Sequence, residues 1–200
     1  MATAAASVPR TGTVLADLLP ASTAGRARVR DAALILGGAA LTGLTAQIAL
    51  PVPGSPVPVS GQTFAALLVG TALGARRGFL SLALYAVAGV AGMPWFAEAK
   101  SGAAFPSFGY VLGMLLAATV VGALARRGAD RSVLRTAGTM ALGSAIIYAV
   151  GVPYLALATH MSFADAVAAG LTPFLIGDVL KAALAMGALP TAWRLLGRRG

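Results

Sequence analysis

The sequence predicts an all-α integral membrane protein, a bundle of about six transmembrane helices with both termini cytoplasmic. Of 200 residues, 58% are hydrophobic and only 10% charged, with mean hydropathy +0.84, whereas a soluble domain is roughly a quarter charged. The apolar residues come in long blocks rather than one-sided periodic stripes. The basic residues stand at the ends of those blocks and alternate between rich and poor loops, the pattern of a multi-span topology.

Taken in order, residues 1–30 carry Arg10, Arg26, Arg28 and Arg30 with no uninterrupted apolar core before Arg10, so they read as a retained cytoplasmic tail rather than a secretory leader. The short apolar run at 14–19, ahead of Pro20, can form an interfacial helical turn, but a disordered tail is the expected state. Candidate spans follow at 32–50, 60–75, 78–96, 107–125, 136–158 and 171–193. Together they make a six-helix transmembrane domain over 31–195, ahead of a basic C-terminal tail at 196–200. The second span is short and the last is polar in its middle. Breakers separate them: Pro51, Pro53, Pro56 and Pro58, then Arg76-Arg77-Gly78, then Pro94 and residues 102–106, then the charged stretch 126–135.

Of the 15 Lys and Arg residues, thirteen fall in the N-terminal tail, the Arg76-Arg77 turn, the 126–135 loop and the C-terminal tail. The alternate loops hold Lys100 alone, and Lys181 lies inside the last block. The thirteen-residue side is therefore expected to be cytoplasmic, and an even number of spans is needed to keep it on one side. The net charge of +9 follows from this topology and from contact with anionic lipid; no basic face with aromatic or polar readers supports nucleic-acid binding.

Asp178 and Lys181 carry the most information. Each charge near a bilayer centre costs about 2.5 to 3.5 kcal/mol on insertion scales, and three residues apart the two share a helix face in the expected outer half of the last span. Two readings stay open. The pair can be a structural salt bridge that only neutralises itself, or it can face an outward cavity, where the carboxylate accepts ligand N–H groups and the ammonium meets a carboxylate or carbonyl.

The uncharged loop 50–63, stiffened by four prolines, reads as a packed cap able to line a pocket. At its end Gln62 and Thr63 can donate to a ligand, while Ser60 and Thr63 can equally cap the second helix. Trp95, Phe96, Phe105, Phe108 and Tyr110 are either interfacial belt residues or a lid or wall over an apolar ring. On the first helix, Ala33 with Gly37 and Ala39 with Gly43 form small-xxx-small steps that suit internal packing or a partner subunit. The lone His160 reads as solvent-exposed in an outer loop. With no cysteine, no G-x-x-x-x-G-K-[ST] loop and no in-membrane base beside a serine, an enzyme, a metal site and self-powered ATP-driven transport are not expected.

Five segments in order, at 56–63 (PVPVSGQT), 74–78 (GARRG), 91–96 (AGMPWF), 108–113 (FGYVLG) and 177–181 (GDVLK), resemble the BioY family over about residues 30–195. The resemblance implies a six-helix S component of an energy-coupling factor (ECF) transporter in the bacterial cytoplasmic membrane. Such a protein captures biotin at the outer face and works with a transmembrane T component and two cytoplasmic ATPases. It implies biotin contacts at Asp178 and Lys181, and at Gly109 and Tyr110, which match although the family more often has Pro-Thr-Gly-Gly-Tyr where this chain has Pro-Ser-Phe-Gly-Tyr at 106–110. It also implies docking through the small face of the first helix, with biotin as transported ligand and no cofactor. An S component for another vitamin is the alternative, and homo-oligomerisation is left open.

Overall fold

A computed structural model describes residues 12–196; expectations for the rest of the two tails lie outside the described residues. Seven α-helices follow one another there: α1 (Ala24–Ala46), α2 (Gln62–Leu73), α3 (Ala75–Val90), α4 (Phe108–Arg126), α5 (Val133–Thr159), α6 (Phe163–Gly170) and α7 (Leu175–Leu196). Six of them correspond to the six expected spans, and α6 is a short addition. The stretches Ala24–Ala46, Phe108–Arg126, Val133–Thr159 and Phe163–Leu196 are long and apolar enough to cross a membrane.

Several boundaries differ from expectation, two of them for identifiable reasons. Helix α1 starts at Ala24, not 32, because Thr23 caps it by accepting from the Arg26 amide at 3.2 Å, and the arginines of its first turns have long stems that suit an interface. The loop expected after the fifth span contains α6, capped by Ser162, followed by a 3-10 turn at Thr172–Phe174 before α7. His160 is exposed and takes a left-handed conformation that ends α5.

Helices α2 and α3 have 12 and 16 residues, lengths of about 18 and 24 Å against a hydrocarbon core of roughly 30 Å. They join at Gly74, whose φ of 83° lies where a side chain is costly. Because α2 is short, the preceding loop must descend to meet it. That loop is pinned at its neck by a two-residue antiparallel pair, β1 (Ala49–Leu50) with β2 (Val59–Ser60), in the register Ala49↔Ser60. Irregular backbone at membrane depth is tolerated where it is buried in protein or lines a cavity, and Val57, Pro58 and Ser60 are buried.

Helix α4 is central and packs on α2, α3 and α5. Close approach is set by small residues: a Cβ at Gly113 would stand 2.7 Å from the Ile147 carbonyl oxygen, and one at Gly70 would stand 2.7 Å from Ala118 Cα. Helix α7 is the least enclosed, with Ile176, Val179, Leu180 and Leu184 exposed and suited to lipid.

The expectation of a disordered tail fails over residues 12–19. Residues Leu15–Leu18 form a 3-10 turn, and Val14 is fully buried beside Gly74. Gly12 and Arg126 exchange two hydrogen bonds at 2.9 and 3.0 Å. Arg77 binds Asp17 at 2.7 Å and Asp31 at 3.0 Å. On the same end, Trp193 donates to the fully buried Asp130 at 2.7 Å, and the Arg131 guanidinium stacks 4.5 Å from the Trp193 ring. Burial pushes the Asp130 carboxyl above the usual carboxylate range, against the lowering effect of the Trp193 hydrogen bond. These contacts bring Arg77, Arg126 and Arg131 to one end of the bundle.

The aromatic segment packs largely inward, and its Tyr110 lines a polar cleft. Phe96 is buried and packs edge-on to Tyr85 at 5.1 Å, then against Phe105 and Phe108. Trp95 donates to the Tyr85 carbonyl at 2.9 Å, and Gln47 donates to the carbonyls of Trp95 and Phe96. The two small-residue pairs of α1 also part company. Ala33 and Gly37 are exposed and border a shallow apolar groove beside α2. Ala39 and Gly43 are buried, and a Cβ at Gly43 would stand 2.8 Å from Trp95, so that pair serves internal packing and is corrected as a docking surface.

Candidate functional site

A polar cleft forms where α2, α4, α5 and α7 meet the descending loop. Its lining includes Val57, Pro58 and Ser60 from the loop, Gln62 and Thr63 from α2, Tyr110 from α4, Tyr148 from α5, and Asp178 and Lys181 from α7. A charged pair in the first two turns of α7 thus faces the first turn of α2, which the short length of α2 holds at that depth.

The Lys181 ammonium donates to the Thr63 hydroxyl at 2.8 Å and stands 3.5 Å from Asp178 Oδ1. The other Asp178 oxygen accepts from the Tyr148 hydroxyl at 2.5 Å. Tyr85 donates to Gln62 Oε1 at 2.8 Å, which directs the amide oxygen away and leaves the NH₂ as the polar group of Gln62 available to the cleft. Tyr110 donates to the Gly170 carbonyl at 2.7 Å, tying α4 to the end of α6. Lys181 and Asp178 are therefore not a closed self-neutralising pair: the shorter bond of each goes to a third side chain.

Of the residues singled out from sequence, Asp178, Lys181, Tyr110, Gln62 and Thr63 come together in this cleft. Thr63 is no helix cap, since Gly61 holds that position and α2 has no side-chain cap. Gly109 is not part of the lining; it lies against the Tyr154 ring, which a Cβ would strike. The residue missed from sequence is Tyr148, which an apolar block disguises as core.

These features define a class, a helical membrane protein with a polar cleft held at membrane depth between its helices. The chain belongs to the BioY family, whose model matches residues 17–198. It is 33% identical over 162 residues to a protein of Pyrococcus horikoshii named probable biotin transporter BioY, covering 80% of this chain and 93% of that one. It is 36% identical over 139 residues to the biotin transporter BioY of Thermotoga maritima, covering 68% and 80%. Its fold matches a crystal structure of the S-component for biotin from an ECF-type ABC transporter, with TM-score 0.77 and 20% identity over 87% of this chain and 95% of the other. Proteins of this family are transporters rather than enzymes, in line with the serines of the sequence lacking an in-membrane base.

Proposed function

We propose that this chain captures biotin at the non-cytoplasmic face of a bacterial cytoplasmic membrane, as the S component of an ECF transporter. It would pass the vitamin inward with a T component and two ATPases. The observation that carries this reading is the convergence of Asp178, Lys181 and Thr63 in one cleft. Biotin offers ureido N–H donors, a ureido carbonyl and a carboxylate; a carboxylate accepts the first, and ammonium, hydroxyl and amide donors serve the others. The names of the relatives support the same ligand.

The thirteen basic residues support a cytoplasmic location for both termini. The cleft then opens away from them, because Gln62 and Arg77 stand at opposite ends of the α2–α3 pair. It is narrow, about 30 Å³, so admitting a bicyclic solute requires its walls to part. The exposed Ala33–Gly37 face of α1 suits a second membrane helix and is our candidate for T-component docking.

The test is binding of labelled biotin by the purified chain in detergent and in liposomes. Nanomolar-range affinity is expected, lost in Asp178→Ala and in Lys181→Ala. No binding in either medium overturns the reading, and displacement by thiamine or riboflavin instead of biotin would reassign the vitamin. Reversing both charges together should abolish uptake; retained uptake would mark the pair as structural.

A further inference from the structure

Beside the polar cleft runs a larger, apolar groove of about 820 Å³ between α5, α6 and α7. Its floor on α5 includes a ladder of small residues, Ala141, Ser144, Ala145 and Ala149. Its far wall is α7, whose outward side carries exposed Ile176, Leu180 and Leu184, so in a bilayer the groove lies next to hydrocarbon. Cleft and groove share two lining residues, Tyr148 and Asp178. Those two are joined by the Tyr148 hydroxyl bond to Asp178 Oδ2. This hydrogen-bonded pair thus stands between the polar cleft and the lipid-side groove.

We propose that Tyr148 is a positioning residue for ligand capture, holding Asp178 toward the cleft and closing the cleft against the groove; the proposal rests on the biotin-capture reading above. A carboxylate has two oxygens. With Oδ2 engaged by Tyr148 on the groove side, Oδ1 faces Lys181 and the cleft. The Tyr148 ring is itself braced edge-on by Tyr110 at 6.4 Å and 86°, and Tyr110 is tied to Gly170. A continuous series of contacts therefore runs from α6 through Tyr110, Tyr148, Asp178 and Lys181 to Thr63 on α2. Removing the Tyr148 hydroxyl frees the carboxylate to turn into the groove, and a ligand donor then finds an acceptor that must first be reoriented. Such a loss of preorganisation weakens binding mainly through faster dissociation.

The test is Tyr148→Phe in the full chain, in detergent and liposomes. Labelled-biotin binding and dissociation are read alongside the infrared carboxylate stretch that disappears in Asp178→Asn. Expected are about tenfold weaker binding, faster dissociation and a shifted Asp178 band before biotin is added. A variant with 4-aminophenylalanine in place of Tyr148, which keeps the ring, its length and a donor at the para position, should bind within about threefold of the native chain. Native affinity in Tyr148→Phe overturns the proposal. So does weaker binding with the Asp178 band unmoved, which would make Tyr148 a packing residue, or a 4-aminophenylalanine variant that binds no better than Phe or, where the Phe variant does not fold, more than about tenfold weaker than the native chain. If the native chain itself fails to bind biotin, the capture reading falls first and this proposal with it.

Discussion

Replacing Lys181 with Met keeps the length of the side chain and removes the ammonium, leaving Asp178 with Tyr148 as its remaining donor. Breaking a buried ion pair by deleting one partner costs about 3 to 5 kcal/mol. Asp178 is 15% and Lys181 20% exposed at the side chain, and their separation is 3.5 Å. With the Tyr148 bond retained, the lower end applies, about 3 kcal/mol. The double variant Lys181→Met/Asp178→Asn removes the stranded charge while keeping an acceptor for Tyr148, so it should recover about 2 kcal/mol of that loss. For a chain of this size each kcal/mol corresponds to about 2 to 4 °C, and unfolding in detergent can be followed by the fluorescence of Trp95 and Trp193. The single variant should unfold about 6 to 12 °C below the native protein and the double variant between the two. A single variant as stable as the double would refute the reasoning, since the charge would then find solvent or another partner. Both variants should lose biotin.

Asp130 predicts a pH dependence of opposite sign to that of an ordinary ion-paired carboxylate. Its folded-state pKa is raised by burial, so between the unfolded value near 3.9 and the raised one the folded state holds the extra proton, and stability falls as pH rises through that window. Asp130→Asn should remove this component and unfold at higher temperature than the native chain at neutral pH; an unchanged native-minus-variant difference from pH 4 to 8 would contradict it. The two glycines of α1 should also behave differently. Gly43→Val drives a side chain into Trp95 and should cost about 1 to 3 kcal/mol, whereas Gly37→Val enters open space and should stay within about 0.5 kcal/mol, both read by thermal unfolding. Gly37→Val should instead reduce co-purification with a T component.

Much of this architecture was legible because lipid leaves few options. A block of about 20 apolar residues has to be a helix, so the centres of the spans were readable although their ends were set by local caps such as Thr23 and Ser162. Asp178 and Lys181 stood out because charge in hydrocarbon is expensive. Tyr148 did not, since one aromatic inside an apolar helix has the same pattern whether it packs or points a hydroxyl at a carboxylate. The segment around Val14 was unreadable for a different reason: its order comes from partners distant in sequence, Arg77 and Arg126, rather than from its own propensity. The divided roles of the α1 glycines likewise depend on where Trp95 lands.

The short α2 has a consequence for how such proteins diversify. A binding wall made of helix carries the register of an entire span, so exchanging its residues disturbs packing across the membrane. Here residues 57–60 supply one wall from a loop clamped at its neck by the Ala49–Ser60 pairing. Changes of side chain in that stretch fall on a loop rather than on a span. A different solute could therefore be accommodated by grafting a new loop over an unchanged Asp178 and Lys181, which makes this segment the natural starting point for redesigning cargo preference.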